Sequence, residues 1–220
     1  MARIVVGADL CKGSWAVIRL VDGRFDQGTV IRSLAEVAAT FAMDASVIAI
    51  DIPLSFAEPG TKGRACEREG RALLGPRRSS MFDTYPQEVL EAPNHAAASA
   101  LSLQTVGCGI PQQSFALGNA IKEAIAFCEQ DSRFFETHPE LIFANLAGPL
   151  ATKKSWTGFR QRLKALEQAG VFLPVDFPEM DKAAMDDVID AAAAALAADR
   201  IALGSARRVP LSSSEAGIWY

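Results

Sequence analysis

Two short apolar runs in this chain end in aspartate, "RIVVGAD" at Asp9 and "SVIAID" at Asp51. A third, "RFFE", ends in Glu136, with His138 and Glu140 just beyond it. An alanine-rich stretch, "MDDVIDAAAAALAA", opens with Asp186, Asp187 and Asp190. Alanine is the best helix former and aspartate is among the poorer ones. On a helix Asp190 is a surface neighbour of both Asp186 and Asp187, and each like-charge pair costs a few tenths of a kcal/mol even when exposed. Burial raises that cost, and a bound divalent cation removes it. Oxygen-only donors suit Mg²⁺ or Mn²⁺. Two such ions can activate a water and stabilise the leaving oxygen of a phosphodiester. Each acid also has a plainer reading: Asp186 and Asp187 as first-turn residues favoured by the helix dipole, Asp51 as a turn former, His138 as a structural hydrogen-bonding side chain. Only their joint arrangement points to a cation.

The supports of these residues are legible as well: "ARIVVGADL" has the β-branched apolar character of a buried strand. "SWAVIRLVDGRFDQGTVI" contains two strand-like runs joined at Asp22-Gly23, a strong hairpin signal. "RSLAEVAATFAM" has helical spacing, with Ser33 and Glu36 placed as in a capping box. "SVIAID" is a further strand, stopped by Pro53. Residues 52–131 show helix-like stretches ("GRACEREGRALLG", "SFALGNAIKEAIAFCEQ") and no returning strand. A strand from Arg133 to Thr137, a short helix after His138-Pro139, the helix "GFRQRLKALEQAG" closed by Gly170, and a last helix over Lys182 to Leu203 follow. The tail "GIWY" suits a terminal strand or strap. The expectation is one α/β domain over residues 1–220: a mixed sheet with a β-β-β-α-β core, flanked by helices, with a helical insertion (52–131) between the fourth and fifth strands. If the first, fourth and fifth strands run parallel and adjacent, Asp9, Asp51 and Glu136 converge at one sheet edge, where sites form in such folds. Small alanine side chains would let the last helix lie close to that edge.

The composition narrows the functional classes. Half of the 220 residues are apolar and 22% are charged, as in an ordinary globular protein, and the net charge of −4 argues mildly against a dedicated sequence-specific DNA binder. Charge is nonetheless segregated. Residues 152–164 hold Lys153, Lys154, Arg160, Arg162 and Lys164 with no acid, whereas residues 176–190 are strongly acidic. An acidic cluster flanked by basic segments suits a cation site that handles a polyanion, and solvated helix faces are the plain alternative. No apolar run approaches the ~18 residues needed to span a bilayer, and the first residues lack a signal peptide's apolar region. The expected location is the cytoplasm, with no membrane partner. The four cysteines, Cys11, Cys66, Cys108 and Cys128, are widely spaced and expected to be reduced. With only two histidines, His95 and His138, a zinc site is not expected.

The strand order, the aspartate on the first strand and the form D-x-x-D-A in "DVIDA" (Asp187 to Ala191) resemble the ribonuclease H-like fold, and the helix motif resembles that of Holliday-junction resolvases. More closely, the chain resembles DUF429, a family of predicted ribonuclease H-like nucleases. The stretches "GADLCKGSWAV", "VIAIDIPLSF", "RACEREGRALLGPRRSSMF", "ETHPELIFANLAGPL", "KKSWTGFRQRL" and "DDVIDAAAAALAA" carry it, the most specific being "ETHPE" and "DDVIDA". The resemblance implies Asp9, Asp51 and Asp187 or Asp190 as ligands of Mg²⁺ or Mn²⁺, with Glu136 in or beside that shell. It implies His138 as a general base or phosphate contact, and Lys12, Arg64, Lys153 and Lys154 as phosphate contacts. The activity it implies is a metal-dependent phosphodiester nuclease acting on nucleic acid by two-metal-type hydrolysis. A second reading keeps the fold as a non-catalytic module that binds nucleic acid, a nucleotide or a protein. A third is an ATP-dependent phosphotransferase, disfavoured because Asp9 is followed by Leu-Cys-Lys rather than the Asp-x-Gly usual in kinases of this fold.

Overall fold

The computed structural model describes residues 1–211 and 216–220. Five strands form one mixed sheet: β1 (Ile4–Cys11), β2 (Ser14–Val21), β3 (Arg24–Ile31), β4 (Val47–Asp51) and β5 (Phe134–Glu136), in the order β3-β2-β1-β4-β5. β2 runs antiparallel to both of its neighbours, and β1, β4 and β5 are parallel. The β2–β3 turn takes Asp22 at φ 50° and Gly23 at φ 78°, the left-handed pair that a tight hairpin needs. The fifth strand, expected over Arg133 to Thr137, has register partners on β4 only for Phe134–Glu136, while Arg133 O and Thr137 N close the ladder at its two ends.

After β3, Ser33 accepts a hydrogen bond from Glu36 N and starts α1 (Leu34–Glu36), which continues as a π-helical turn, Val37–Phe41. Between β4 and β5 lie α2 (Ala65–Leu74), a 3₁₀ stretch (Gly75–Ser80), α3 (Gln87–Leu90), α4 (His95–Thr105), α5 (Gln112–Ala116) and α6 (Gly118–Cys128). The stretch from Ser114 to Gln130 therefore divides into two helices, with Leu117 as the junction between α5 and α6. α7 (Pro139–Ala147), α8 (Trp156–Gln168) and α9 (Met185–Ala202) follow β5. Arg208–Val209 (β6) pairs with Ile218–Trp219 (β7), and Trp219 also bridges to Thr137 at the end of β5, so the "GIWY" tail closes on the sheet edge. No helix among the described residues is long and apolar enough to cross a membrane.

The sheet is covered on both faces. Val6, Ala8, Ile48 and Ile50 point into a core built with α1, α4 and α6. Val5, Ala16, Ile18, Val47 and Ala49 point into a second core with α7, α8 and the alanines of α9. Ala191 to Ala195 are fully buried. Gly7 shows how near α9 comes: a Cβ at this position would lie 1.9 Å from Ala195 N and 2.4 Å from Ala191 O. Alanine on one element and glycine on the other permit a backbone-to-backbone approach that any larger residue would prevent. The helix runs against β1, with Ala195 over Gly7 and Asp199 bonded to Arg3 near the strand's start. Its acidic N-terminal turns consequently lie at the carboxyl ends of β1 and β4.

Candidate functional site

Asp9 and Asp51 are register partners on the adjacent parallel strands β1 and β4. They share a side of the pleat with Gly7 and Ala49, the side that faces α9. Asp190 projects from the second turn of α9 and is 2% exposed. All three line a cavity of about 440 Å³ at the carboxyl edge of the sheet. Its acidic wall includes Asp9, Asp51, Glu67, Asp83, Glu136, Glu140, Asp186 and Asp190, against the cations Arg64, Arg77, Lys153 and Lys154. The lining also includes the apolar and aromatic side chains of Met81, Phe82, Tyr85, Leu90, Leu117 and Ile121.

Crowding and burial raise the pKa of carboxylates. Burial, reinforced by the charges of Asp51, Asp190 and Asp187, pushes the Asp9 carboxyl well above the usual carboxylate range. Burial pushes Asp51 up to about 7; Lys153 opposes the shift, while Glu136 and Glu140 add to it. Burial pushes Asp190 up to about 6 against the pull of Lys153. Lys153 Nζ stands 2.5 Å from Asp190 Oδ2 and 3.8 Å from Asp186 Oδ2. Burial works against its charge, but Asp190 outweighs that and holds the ammonium on. The other oxygen of Asp190, Oδ1, is buried without a hydrogen-bond partner. An unpaired buried acceptor of this kind costs about 1–3 kcal/mol.

The remaining expected site residues divide by what holds them. Glu136 pairs in register with Ile50, so it points to the other face of the sheet from Asp51. There Arg64 grips it through both terminal nitrogens, with Nη1 2.7 Å from Oε2 and Nη2 2.5 Å from Oε1. Arg64 also donates to Glu67 Oε1 at 2.9 Å and to Ser55 Oγ at 3.0 Å. Its guanidinium is thus committed to protein partners and to shaping the wall. Glu136 Oε2 further accepts the Leu54 amide at 2.8 Å, tying the loop after β4 to the end of β5. His138 caps α7 and lines the cavity; its Nδ1 is buried and unpartnered, and burial lowers its pKa. Asp187 does not line the cavity: its carboxylate accepts the Ala184 amide at 3.3 Å and caps α9. Asp186 takes the wall position, pairing with Lys154 at 2.6 Å. Lys12 is exposed on the β1–β2 turn at φ 49° and is not part of the wall.

Glu140 beside His138 and Arg162 in the basic segment were visible in the sequence but carried no site role there, nor did Glu67 or Arg77. Glu140 accepts from the fully buried Arg162 at 2.6 Å and from Arg77 at 3.4 Å, and so fixes α7 to α8 beside the cavity. The advance signals were Glu140's place two residues after His138 and Arg162's place in the acid-free segment 152–164. Among the described residues, no three His, Cys, Asp or Glu side chains already form a metal cage. The donor chemistry is that of a hard-cation site: three carboxylates line one cavity, two of them buried and one with an orphaned oxygen, and Lys153 now supplies the positive charge at Asp190.

The chain matches the model of the family described as "Protein of unknown function (DUF429)" over residues 7–215. It belongs to that family. No curated protein and no solved structure matches it.

Proposed function

We propose that this protein is a metal-dependent phosphodiester nuclease built on a ribonuclease H-like fold. The strand order β3-β2-β1-β4-β5, antiparallel only at β2, supports the fold. The observation that carries the activity is the meeting of Asp9, Asp51 and Asp190 in one cavity, with carboxyls whose pKa burial raises and an Asp190 oxygen without a partner. Such a set is stabilised by positive charge. Asp9, Asp51 and Asp190 are the residues that would hold Mg²⁺ or Mn²⁺, with Asp186 at the rim. A divalent ion in that position neutralises phosphate charge and activates water. The chain's own residues do the rest. Lys153 and Lys154 present ammonium groups where a phosphate would enter. His138, kept neutral by burial, is able to accept a proton at Nδ1. Arg64 and Glu136 hold the far wall rigid.

A second reading, a non-catalytic nucleic-acid or nucleotide module, draws support from the Lys153–Asp190 ion pair, which already neutralises part of the site. One experiment separates the two. End-labelled single-stranded, duplex, hybrid and branched substrates are incubated with wild type and Asp9→Asn in Mg²⁺, in Mn²⁺ and in chelator. Cleavage that needs both the ion and Asp9 supports the nuclease; binding without cleavage on every substrate supports the module.

A further inference from the structure

α8 begins two residues after Lys154, and its first turn carries the most exposed aromatic side chain of the described residues. Trp156 is 74% exposed. Its indole is held in place from within the helix. Phe159 stacks on it with ring centroids 6.2 Å apart at 29°, and the Arg160 guanidinium lies 5.9 Å from its centroid. Trp156, Arg160 and Lys164 recur every four residues, so they form one stripe along the helix. Arg160 and Lys164 are both exposed. Arg162 belongs to the opposite face, buried against Glu140. The segment 152–164 contains no acid. Just upstream of the stripe Lys153 and Lys154 reach Asp190 and Asp186 in the cavity wall, which places the start of α8 beside the acidic cavity.

We infer that this stripe is a docking platform for single-stranded nucleic acid, which leads an unpaired strand into the cavity. The inference rests on the nucleic-acid reading above and names its substrate class. An exposed indole braced by an arginine is a stacking surface for bases, and guanidinium planes stack bases as well. The exposed cations Arg160 and Lys164 beside the indole supply charge for the phosphates between those bases. A cavity of about 440 Å³ is the size of a small-ligand pocket, so it suits an unstacked nucleotide of a single strand rather than a whole duplex.

The test is fluorescence anisotropy of a labelled oligothymidine with the full chain in chelator at low salt, so that no cleavage is involved. Wild type is expected to bind the single strand in preference to a duplex of equal length. Trp156→Ala should weaken binding about tenfold, and Trp156→Phe should restore most of it. Arg160→Gln should lower the salt slope by about one. Equal binding by wild type and Trp156→Ala, or preference for the duplex, overturns the platform even if the cavity cleaves. Binding to phosphatidylserine vesicles in place of oligothymidine also overturns it. Single-strand binding lost with Trp156 establishes it even if no cleavage is found.

Discussion

Asp9 and Asp51 occupy the same register on adjacent parallel strands, about 4.8 Å apart in the hydrogen-bonding direction, and neither side-chain carboxylate accepts a hydrogen bond from a described residue. Two carboxylates so placed repel whenever both are ionised. Their relationship defines a site whose stability depends on protons or on an added cation.

The pH dependence follows from that. A carboxyl whose folded pKa is raised binds its proton more tightly in the folded chain than in the unfolded one. Its contribution is present at low pH and is lost as pH rises through the folded value. For Asp51 the window runs from the ordinary 3.8 to about 7. Metal-free protein should therefore lose stability from pH 5 to pH 8 at this site, and Asp51→Asn should remove the loss. Relative to wild type, the variant should gain about 1–2 kcal/mol over that interval, measured by urea denaturation in chelator. A constant difference at the two pH values would contradict the assignment.

Lys153 holds part of the acidic charge. Lys153→Met leaves Asp190 without its cation and should cost about 1–2 kcal/mol at pH 8, discounted for the lysine's partial exposure. The cost should shrink at pH 5, where Asp190 takes up a proton. Millimolar Mg²⁺ should recover part of the loss at pH 8, read as a rise in Tm.

Arg64 is buried between Glu136 and Glu67 and serves both. Arg64→Met strands two buried carboxylates and should cost about 3–5 kcal/mol by chemical denaturation. Arg64→Lys should not rescue it, because a single ammonium cannot reproduce the paired contacts to Glu136. A loss under 1 kcal/mol would mean that the wall does not depend on this network.

Gly7 sets the depth of α9. Gly7→Ala drives a Cβ into the backbone of Ala195 and should destabilise by about 3 kcal/mol or more. Because the helix must then move outward, Asp190 should leave Asp9 and Asp51. A variant that is as stable as wild type would show that the close approach is not needed.

Several of these features were legible in the sequence. Apolar runs ending in aspartate mark strands and their carboxyl ends, and an aspartate-headed alanine run marks a helix able to lie close to them. The Asp22-Gly23 dipeptide fixed its hairpin through local backbone preference alone. What sequence spacing does not carry is long-range register. The pairing of Glu136 with Ile50, rather than with Asp51, turns its side chain to the other sheet face. Pairing across 72 residues decides that Arg64 meets Glu136 instead of a phosphate. The exchange of roles between Asp186 and Asp187 depends on helix rotation, which the alanine run leaves unspecified because it offers no bulky stripe to orient it.

The central claim is that Asp9, Asp51 and Asp190 hold a divalent cation. The most direct measurement is titration of metal-free protein with Mn²⁺, followed by electron paramagnetic resonance of the free ion, for wild type and Asp190→Asn at pH 8. The account predicts saturable binding by wild type that Asp190→Asn weakens at least tenfold. Absence of saturable binding at millimolar Mn²⁺, or equal binding by the two proteins, would contradict it.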